Sequence, residues 1–146
     1  MARYRTTVRT ARPPAEAFAF MADLRNFEDW DPGVQRATQI DGDGGGPGAS
    51  FDVVVDAPGR GLTLRYVTTE YDPPRHVVVR AESRVFTSLD RIHVEPDGTG
   101  SLVTYDAELR LNGPLGIFDL LLRPVFDRIA GRADDGLQRA LDGEKV

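Results

Sequence analysis

The amino-acid sequence predicts an α+β fold in which one curved antiparallel sheet buries its apolar face against a long C-terminal helix. Two patterns carry this expectation. From residue 50 to 111 apolar and polar residues alternate with the period of two that wets one face of a strand, and Pro- and Gly-containing turns interrupt the alternation. From residue 118 to 141 apolar residues return every three or four positions, the spacing of one buried helical stripe. With 146 residues, 40% of them apolar, residues 1–146 are expected to form one domain that holds a core without metal or disulfide staples.

Residues 3–11 set Tyr4, Thr6, Val8 and Thr10 against Arg3, Arg5, Thr7 and Arg9, a strand with one wet face. Arg12-Pro13-Pro14 ends it. Pro14 suits the first turn of a helix that Ala15 to Ala22 continues, with Glu16 near its positive end. Leu24, Phe27 and Trp30 at three-residue steps predict a second short helical turn, stopped by Asp31-Pro32-Gly33. A weakly patterned strand follows from Val34 to Ile40. Gly42 to Gly48 contains five Gly but lacks the Gly-Lys-Ser/Thr ending of a phosphate-binding loop, and it precedes a strand, so it reads as a long hairpin turn.

The sheet continues through Phe51/Val53/Val55, Leu62/Leu64/Tyr66, Val77/Val79/Ala81, Ile92/Val94 and Val103/Tyr105/Ala107/Leu109/Leu111. Turns fall at Pro58-Gly59, Asp72-Pro73-Pro74 and Pro96-Asp97-Gly98, and Asn112-Gly113-Pro114 closes the sheet. Pro124 lies inside the C-terminal stripe and predicts a kink or a fresh helix start; a helix from 124 to 141 would be ~27 Å long, enough to cross a sheet. Gly131 and Gly136 each weaken that helix by roughly 1 kcal/mol relative to Ala, which predicts close approach to strands or room for something beside the helix.

Composition removes several classes of function. A cysteine-free chain is not a disulfide scaffold, a thiolate zinc site or a cysteine-nucleophile enzyme. No apolar run approaches the ~18–20 residues of a membrane span, and no apolar stretch follows Met1-Ala2-Arg3-Tyr4-Arg5, so a cytoplasmic protein without stable membrane insertion is expected. Eighteen basic against 23 acidic residues give a net charge of -5, which disfavours nucleic acid as a partner. His76 and His93 fall on the strand face opposite the apolar set and do not make a tetrahedral zinc site, so no metal is expected. No Gly-x-Ser-x-Gly sequence is present, which disfavours serine hydrolase chemistry, and no cofactor is expected.

Three segments carry a family resemblance. They are Arg12 to Asp23 leading to Trp30-Asp31-Pro32; Asp90-Arg91-Ile92-His93-Val94-Glu95-Pro96 with Thr104-Tyr105; and Leu109 to Leu115 through Pro124-Val125-Phe126 to Gly136-Leu137. Together they resemble the polyketide cyclase/dehydrase and lipid-transport family of the START-like (SRPBCC) superfamily. The resemblance implies a helix-grip fold, with about seven antiparallel strands around the C-terminal helix and two short helices after the first strand. Its members include lipid and sterol carriers, aromatic polyketide cyclases and plant hormone receptors, so a shared fold does not transfer one reaction.

Candidate functional residues follow from side-chain parity, because every second residue of a strand shares a face. Val77, Val79 and Ala81 carry Ser83 to the core face, and Ile92 and Val94 carry Asp90, Ser88 and Phe86. Pairing Ala81 with Asp90 across a turn at 84–87 keeps the two sets in phase. Asp90 is then the one carboxylate of the central strands directed at the apolar side, whereas Asp52, Glu82, Asp106 and Glu108 take the other parity. Burial would raise its pKa and suit it to general acid or base work near neutrality, which makes it the candidate catalytic residue. A bulge that flips parity, or a backbone or Arg partner, would leave it a structural acid instead.

A curved sheet wrapped on one helix is expected to leave an apolar cavity between them. Tyr66, Tyr105 and Ser88 share the inward parity and offer hydroxyls to a ligand. Phe51, Leu64, Val79 and Ala81 form the sheet wall, Trp30 with Phe27 roofs one end, and Phe118, Leu122 and Phe126 form the helix wall; without a cavity the same residues are plain core. The expected function is binding of a small hydrophobic ligand, lipid-, aromatic- or polyketide-like. The alternatives are a cofactor-independent cyclase or dehydratase using Asp90 with Tyr66 or Tyr105, and an interaction or stress-related domain with an incidental cavity. Edge strands of such a sheet also invite homodimerisation.

Overall fold

The computed structural model describes residues 2–57, 60–83, 86–112 and 131–146. In chain order these form β1 (Ala2–Thr10), α1 (Pro14–Ala22), a 3-10 turn (Leu24–Asn26), α2 (Phe27–Trp30), β2 (Val34–Asp41), β3 (Ser50–Ala57), β4 (Arg60–Asp72), β5 (His76–Glu82), β6 (Phe86–Asp97) and β7 (Gly100–Leu111). Helix α3 covers 131–140, and β8 (Glu144–Lys145) follows. The sheet has eight strands in the order β2-β3-β4-β5-β6-β7-β1-β8, antiparallel throughout. The strand beyond the expected seven is β8, which pairs Lys145 with Val8 and Glu144 with Arg9.

The first helix begins where proline permits, with Pro14 at its first position and Glu16 in its first turn. It buries Ala17, Phe18, Met21 and Ala22. Asp23 ends it and at once caps the following turn, its carboxylate accepting the Arg25 backbone N–H at 3.1 Å. Asp31 ends α2 in the same manner, accepting the Gly33 N–H at 2.9 Å. The glycine loop is the hairpin connection between β2 and β3. Gln39 grips it by accepting the Gly44 N–H and donating to the Gly44 carbonyl, both at 2.9 Å, at a residue whose φ of 76° favours glycine.

Registers determine which side chains share a face. Shifts between Val34 and Arg36, Gln39 and Asp41, and Thr68 and Glu70 put irregularities into β2 and β4 that bend a strand. The pairings of β6 with β5 and with β7 run without a shift, so the inward parity of β6 is preserved along its length. One expected pairing is corrected: Asp90 faces Val79, and Ala81 faces Ser88. The β5–β6 connection is two residues shorter because Ser83 and Phe86 close it. The Ser83 N–H donates to the Phe86 carbonyl at 2.9 Å, and the Ser83 hydroxyl accepts the Phe86 N–H at 3.0 Å. A slip of two residues leaves every side chain on its original face.

The core lies between one sheet face and the helices. Val8, Phe51, Val53, Val77, Val79, Ile92, Val94 and Val103 share one buried cluster with Phe18, Met21, Leu24, Phe27 and Trp30 and with Ala133, Leu137 and Leu141. Polar bonds fasten α3 and its C-terminal end to β1 and β8. Thr6 donates to Asp134 at 2.5 Å, Thr10 donates to the Leu141 carbonyl at 2.6 Å, and Lys145 pairs with Asp134 at 2.9 Å. Gly136 provides the predicted close approach, although to the end of α2 rather than to a strand: a Cβ there would lie 1.7 Å from the Trp30 carbonyl oxygen. The N-terminal part of the predicted stripe, Pro124 included, lies outside the described residues.

Candidate functional site

The middle of the sheet assembles a continuous polar chain on its apolar face. Tyr66 of β4 faces Ala81 of β5, and Ala81 faces Ser88 of β6. Because Ala81 is small, the Tyr66 hydroxyl passes over it and meets the Ser88 hydroxyl at 2.8 Å. Asp90, two residues along β6, accepts from Ser88 at 3.4 Å. Tyr105 of β7 faces Ile92, one inward position farther, and its hydroxyl donates to Asp90 at 2.8 Å. All four are buried, with exposures of 6% for Tyr66, 7% for Ser88, 2% for Asp90 and 5% for Tyr105.

Burial governs the acid–base properties of the chain. Loss of water pushes the Asp90 carboxyl up to about 7; the bonds from Tyr105 and Ser88 pull it down, and the charges of Asp31 and Asp106 push it further up. Burial, followed by the Asp90 charge, also pushes the Tyr66 and Tyr105 hydroxyls well above their usual value. The site thus holds one group able to change charge near neutrality and two phenols that stay protonated there. Tyr105→Phe removes the bond that favours the Asp90 carboxylate, so its midpoint is expected to move further up, as followed by the carbon chemical shift of its carboxyl against pH. A midpoint that stays or falls would show that the 2.8 Å contact does not govern Asp90.

Aromatic rings from the short helix close over this chain. Trp30 stands edge-on to Tyr105 at 5.1 Å, and Phe27 lies 6.1 Å from Tyr66, 6.5 Å from Tyr105 and 5.0 Å from Trp30. Phe51, Leu64, Val79 and Ala81 are buried in the same core cluster. The structure therefore brings together nine of the expected site residues, Trp30, Phe51, Leu64, Tyr66, Val79, Ala81, Ser88, Asp90 and Tyr105. Phe118, Leu122 and Phe126 lie outside the described residues, and the expected helix wall with them.

Two neighbours were not singled out from sequence. The sequence shows Asp31 in a helix stop and in a family-like segment, with no site role; burial raises its pKa, and its charge acts on Asp90 and both tyrosines. Loop residues have no parity, so strand alternation does not place it at the site. Tyr4 did carry a signal, since it shares a face with Thr6 and Val8. Its ring lies 6.3 Å from Tyr105, and its buried hydroxyl has no hydrogen-bond partner among the described residues.

The other sheet face is ionic. Asp106 is held by Arg3 Nε and Nη2 at 3.1 and 2.7 Å, and Glu108 pairs with Arg91 at 2.9 Å. His76 bonds Glu70 at 2.9 Å and His93 meets Glu95 at 3.2 Å, on the face expected for both. Among the described residues no group of three His, Asp or Glu is placed to hold a metal, and no helix is long and apolar enough to cross a membrane. A cleft of about 510 Å³ on this outer face is lined by Arg80, Glu82, Thr87, Leu89, Glu108 and Arg110 among others, and none of the buried polar chain reaches it.

The sequence profile described as polyketide cyclase/dehydrase and lipid transport matches residues 1–142. The chain belongs to that family. No curated protein sequence matches it. Solved structures similar to this polyketide cyclase/dehydrase and lipid transport family member include one from Deinococcus radiodurans, with TM-score 0.73 and 14% identity over 97% of this chain and 95% of that one. A START superfamily protein from Mycobacterium smegmatis is similar with TM-score 0.70 and 16% identity over 97% and 94%. The di-domain ARO/CYC StfQ from the steffimycin biosynthetic pathway is similar with TM-score 0.69 and 13% identity, over 97% of this chain and 51% of that one. At such identities the likeness establishes the START-like fold, and family and fold together suggest a hydrophobic-ligand-binding or polyketide cyclase-type domain.

Proposed function

We propose that the whole chain acts as one ligand-binding domain that takes up a small hydrophobic molecule, lipid-, aromatic- or polyketide-like, between the sheet and the C-terminal helix. The observation that carries this reading is the hydroxyl–carboxylate chain of Tyr66, Ser88, Asp90 and Tyr105 buried on the apolar face of the sheet. A core needs no such chain, since apolar side chains of the same shape would fill the space with no polar atom left to satisfy. A ligand with one polar end and an apolar body uses both parts. Its affinity comes mainly from buried apolar area, at ~25 cal/mol per Å2 before the costs of binding are subtracted.

Native mass spectrometry of the freshly purified protein is expected to show a co-purified hydrophobic compound. Ala81→Leu puts a larger side chain between Tyr66 and Ser88, and is expected to lower uptake of that compound or of a hydrophobic fluorescent probe at least about tenfold while the circular dichroism spectrum is kept. Unchanged uptake in a folded variant would remove this face of the sheet from ligand binding.

A second reading, cofactor-independent cyclisation or dehydration, is favoured by one observation: the Asp90 carboxyl lies at about 7 beside a phenol. In that role the Asp90 carboxylate removes an acidic proton from a poly-carbonyl substrate, and a Tyr66 or Tyr105 hydroxyl hydrogen-bonds the developing enolate. Asp90→Asn separates the readings. It lowers turnover by orders of magnitude with little change in affinity if the domain is an enzyme, and retunes affinity alone if it is a carrier.

A further inference from the structure

The chain has two histidines, and the sheet sets them against each other. His76 of β5 faces His93 of β6 directly, with ring centres 6.3 Å apart. The Val94 N–H donates to the Arg75 carbonyl at 2.8 Å, so the facing pair just before them is a hydrogen-bonded one. Bonded and non-bonded pairs alternate in an antiparallel ladder. His76 and His93 therefore occupy a non-hydrogen-bonded pair, where facing side chains stand closest. Two imidazoles sharing one metal ion at ~2.1 Å per bond have ring centres about 5–6 Å apart, so small side-chain rotations bring these two onto one ion.

Each ring is also supplied with a carboxylate. His76 Nε2 bonds Glu70 Oε2 at 2.9 Å, and His93 Nε2 lies 3.2 Å from Glu95 Oε1. A carboxylate on one ring nitrogen is the arrangement that orients a metal-binding imidazole and raises the basicity of the other nitrogen. That other nitrogen, Nδ1, has no hydrogen-bond partner in either ring among the described residues. The neighbouring cations are taken, Arg75 by Asp72 at 3.0 Å and Arg91 by Glu108 at 2.9 Å. The charge left beside the two rings is that of Glu70 and Glu95, which favours a dication.

We infer that the outer face of the sheet carries a binding site for a divalent transition-metal ion, with His76 and His93 as its two protein ligands and Glu70 and Glu95 holding the rings. Imidazole selects zinc, nickel and copper over magnesium and calcium, which take oxygen. Among the described residues no third His, Asp or Glu is placed to join the pair, so water completes the coordination and the ion is exchangeable. The site lies on the face opposite the chain of Tyr66, Ser88, Asp90 and Tyr105, and its occupancy is independent of ligand uptake there.

Calorimetric titration of the tag-free full chain with Zn2+ or Ni2+ is expected to show one ion bound per chain, with Mg2+ giving no heat. One imidazole alone holds such an ion weakly, and the second acts as an intramolecular ligand. His76→Gln and His93→Gln are therefore each expected to weaken binding about a hundredfold or more, and the double variant hardly further than either. Glu70→Gln keeps both ligands and is expected to weaken binding about tenfold. In the wild type, the nuclear magnetic resonance signals of both imidazole rings are expected to broaden together as Ni2+ is added, reaching completion at one equivalent. Zinc or nickel binding that survives either histidine substitution, ring signals that respond singly, or no binding by the wild type would each overturn the site. The wild-type spectra decide the question even if a variant does not fold.

Discussion

Asp90→Asn is expected to stabilise the fold at alkaline pH and to change it little at acid pH, with a difference of about 4 kcal/mol between the two limits. The magnitude follows from a carboxyl whose ordinary value of 3.8 is pushed up to about 7 by burial. From roughly pH 4 to 7 the folded chain keeps a proton that the unfolded chain has released, so wild-type stability falls as pH rises through that window. Above it the folded state carries a desolvated charge at full cost. An amide has no such charge, yet it keeps an oxygen for Tyr105 and fills the same volume. Asp31, also raised by burial, is common to both proteins and cancels in the comparison. Urea unfolding of both chains at acid and alkaline pH measures the difference. A gap that does not widen with pH would mean that Asp90 is not held as a dry acid, and the cyclase reading would lose its base.

The inward set of the sheet was legible in the sequence because parity survives errors of register. Ala81 was matched to Asp90 when its partner is Ser88, yet a slip of two residues returns each side chain to the same face, so Asp90, Ser88, Tyr66 and Tyr105 still converge. The register itself was not legible, since it depends on the Ser83 bonds to Phe86, which no alternation pattern records. A bulge does flip parity in this sheet, between Thr68 and Glu70 of β4, beyond the last candidate on that strand. Proline and aromatic spacing announced the short helices, whose Trp30 and Phe27 pack against Tyr105 and Tyr66. Asp31 escaped because turn residues take their direction from backbone dihedrals and tertiary contacts rather than from a repeat. Tyr4 escaped for a different reason: its parity was readable, but its position beside Tyr105 depends on β1 joining the sheet next to β7, a long-range pairing.

Gly136→Ala is expected to lower stability by about 3 kcal/mol or to prevent folding, against the helix propensity that favours Ala by roughly 1 kcal/mol. The added Cβ would fall 1.7 Å from the Trp30 carbonyl oxygen and 2.8 Å from its carbonyl carbon. Both are backbone atoms, so no side chain can swing aside, and α3 and the end of α2 must separate. That separation would lift Trp30 from Tyr105, now 5.1 Å away, and loosen the aromatic cover of the polar chain. Gly131→Ala is the control: it stands at an exposed position on the same helix where a Cβ meets open space, and it is expected to be neutral or to gain about 1 kcal/mol. Trp30 is the lone tryptophan, so its emission reports the contact directly and should shift to longer wavelength in Gly136→Ala alone. If both variants melt at or above the wild-type temperature with unchanged emission, the close contact between α3 and α2 is not what seats Trp30 over the site.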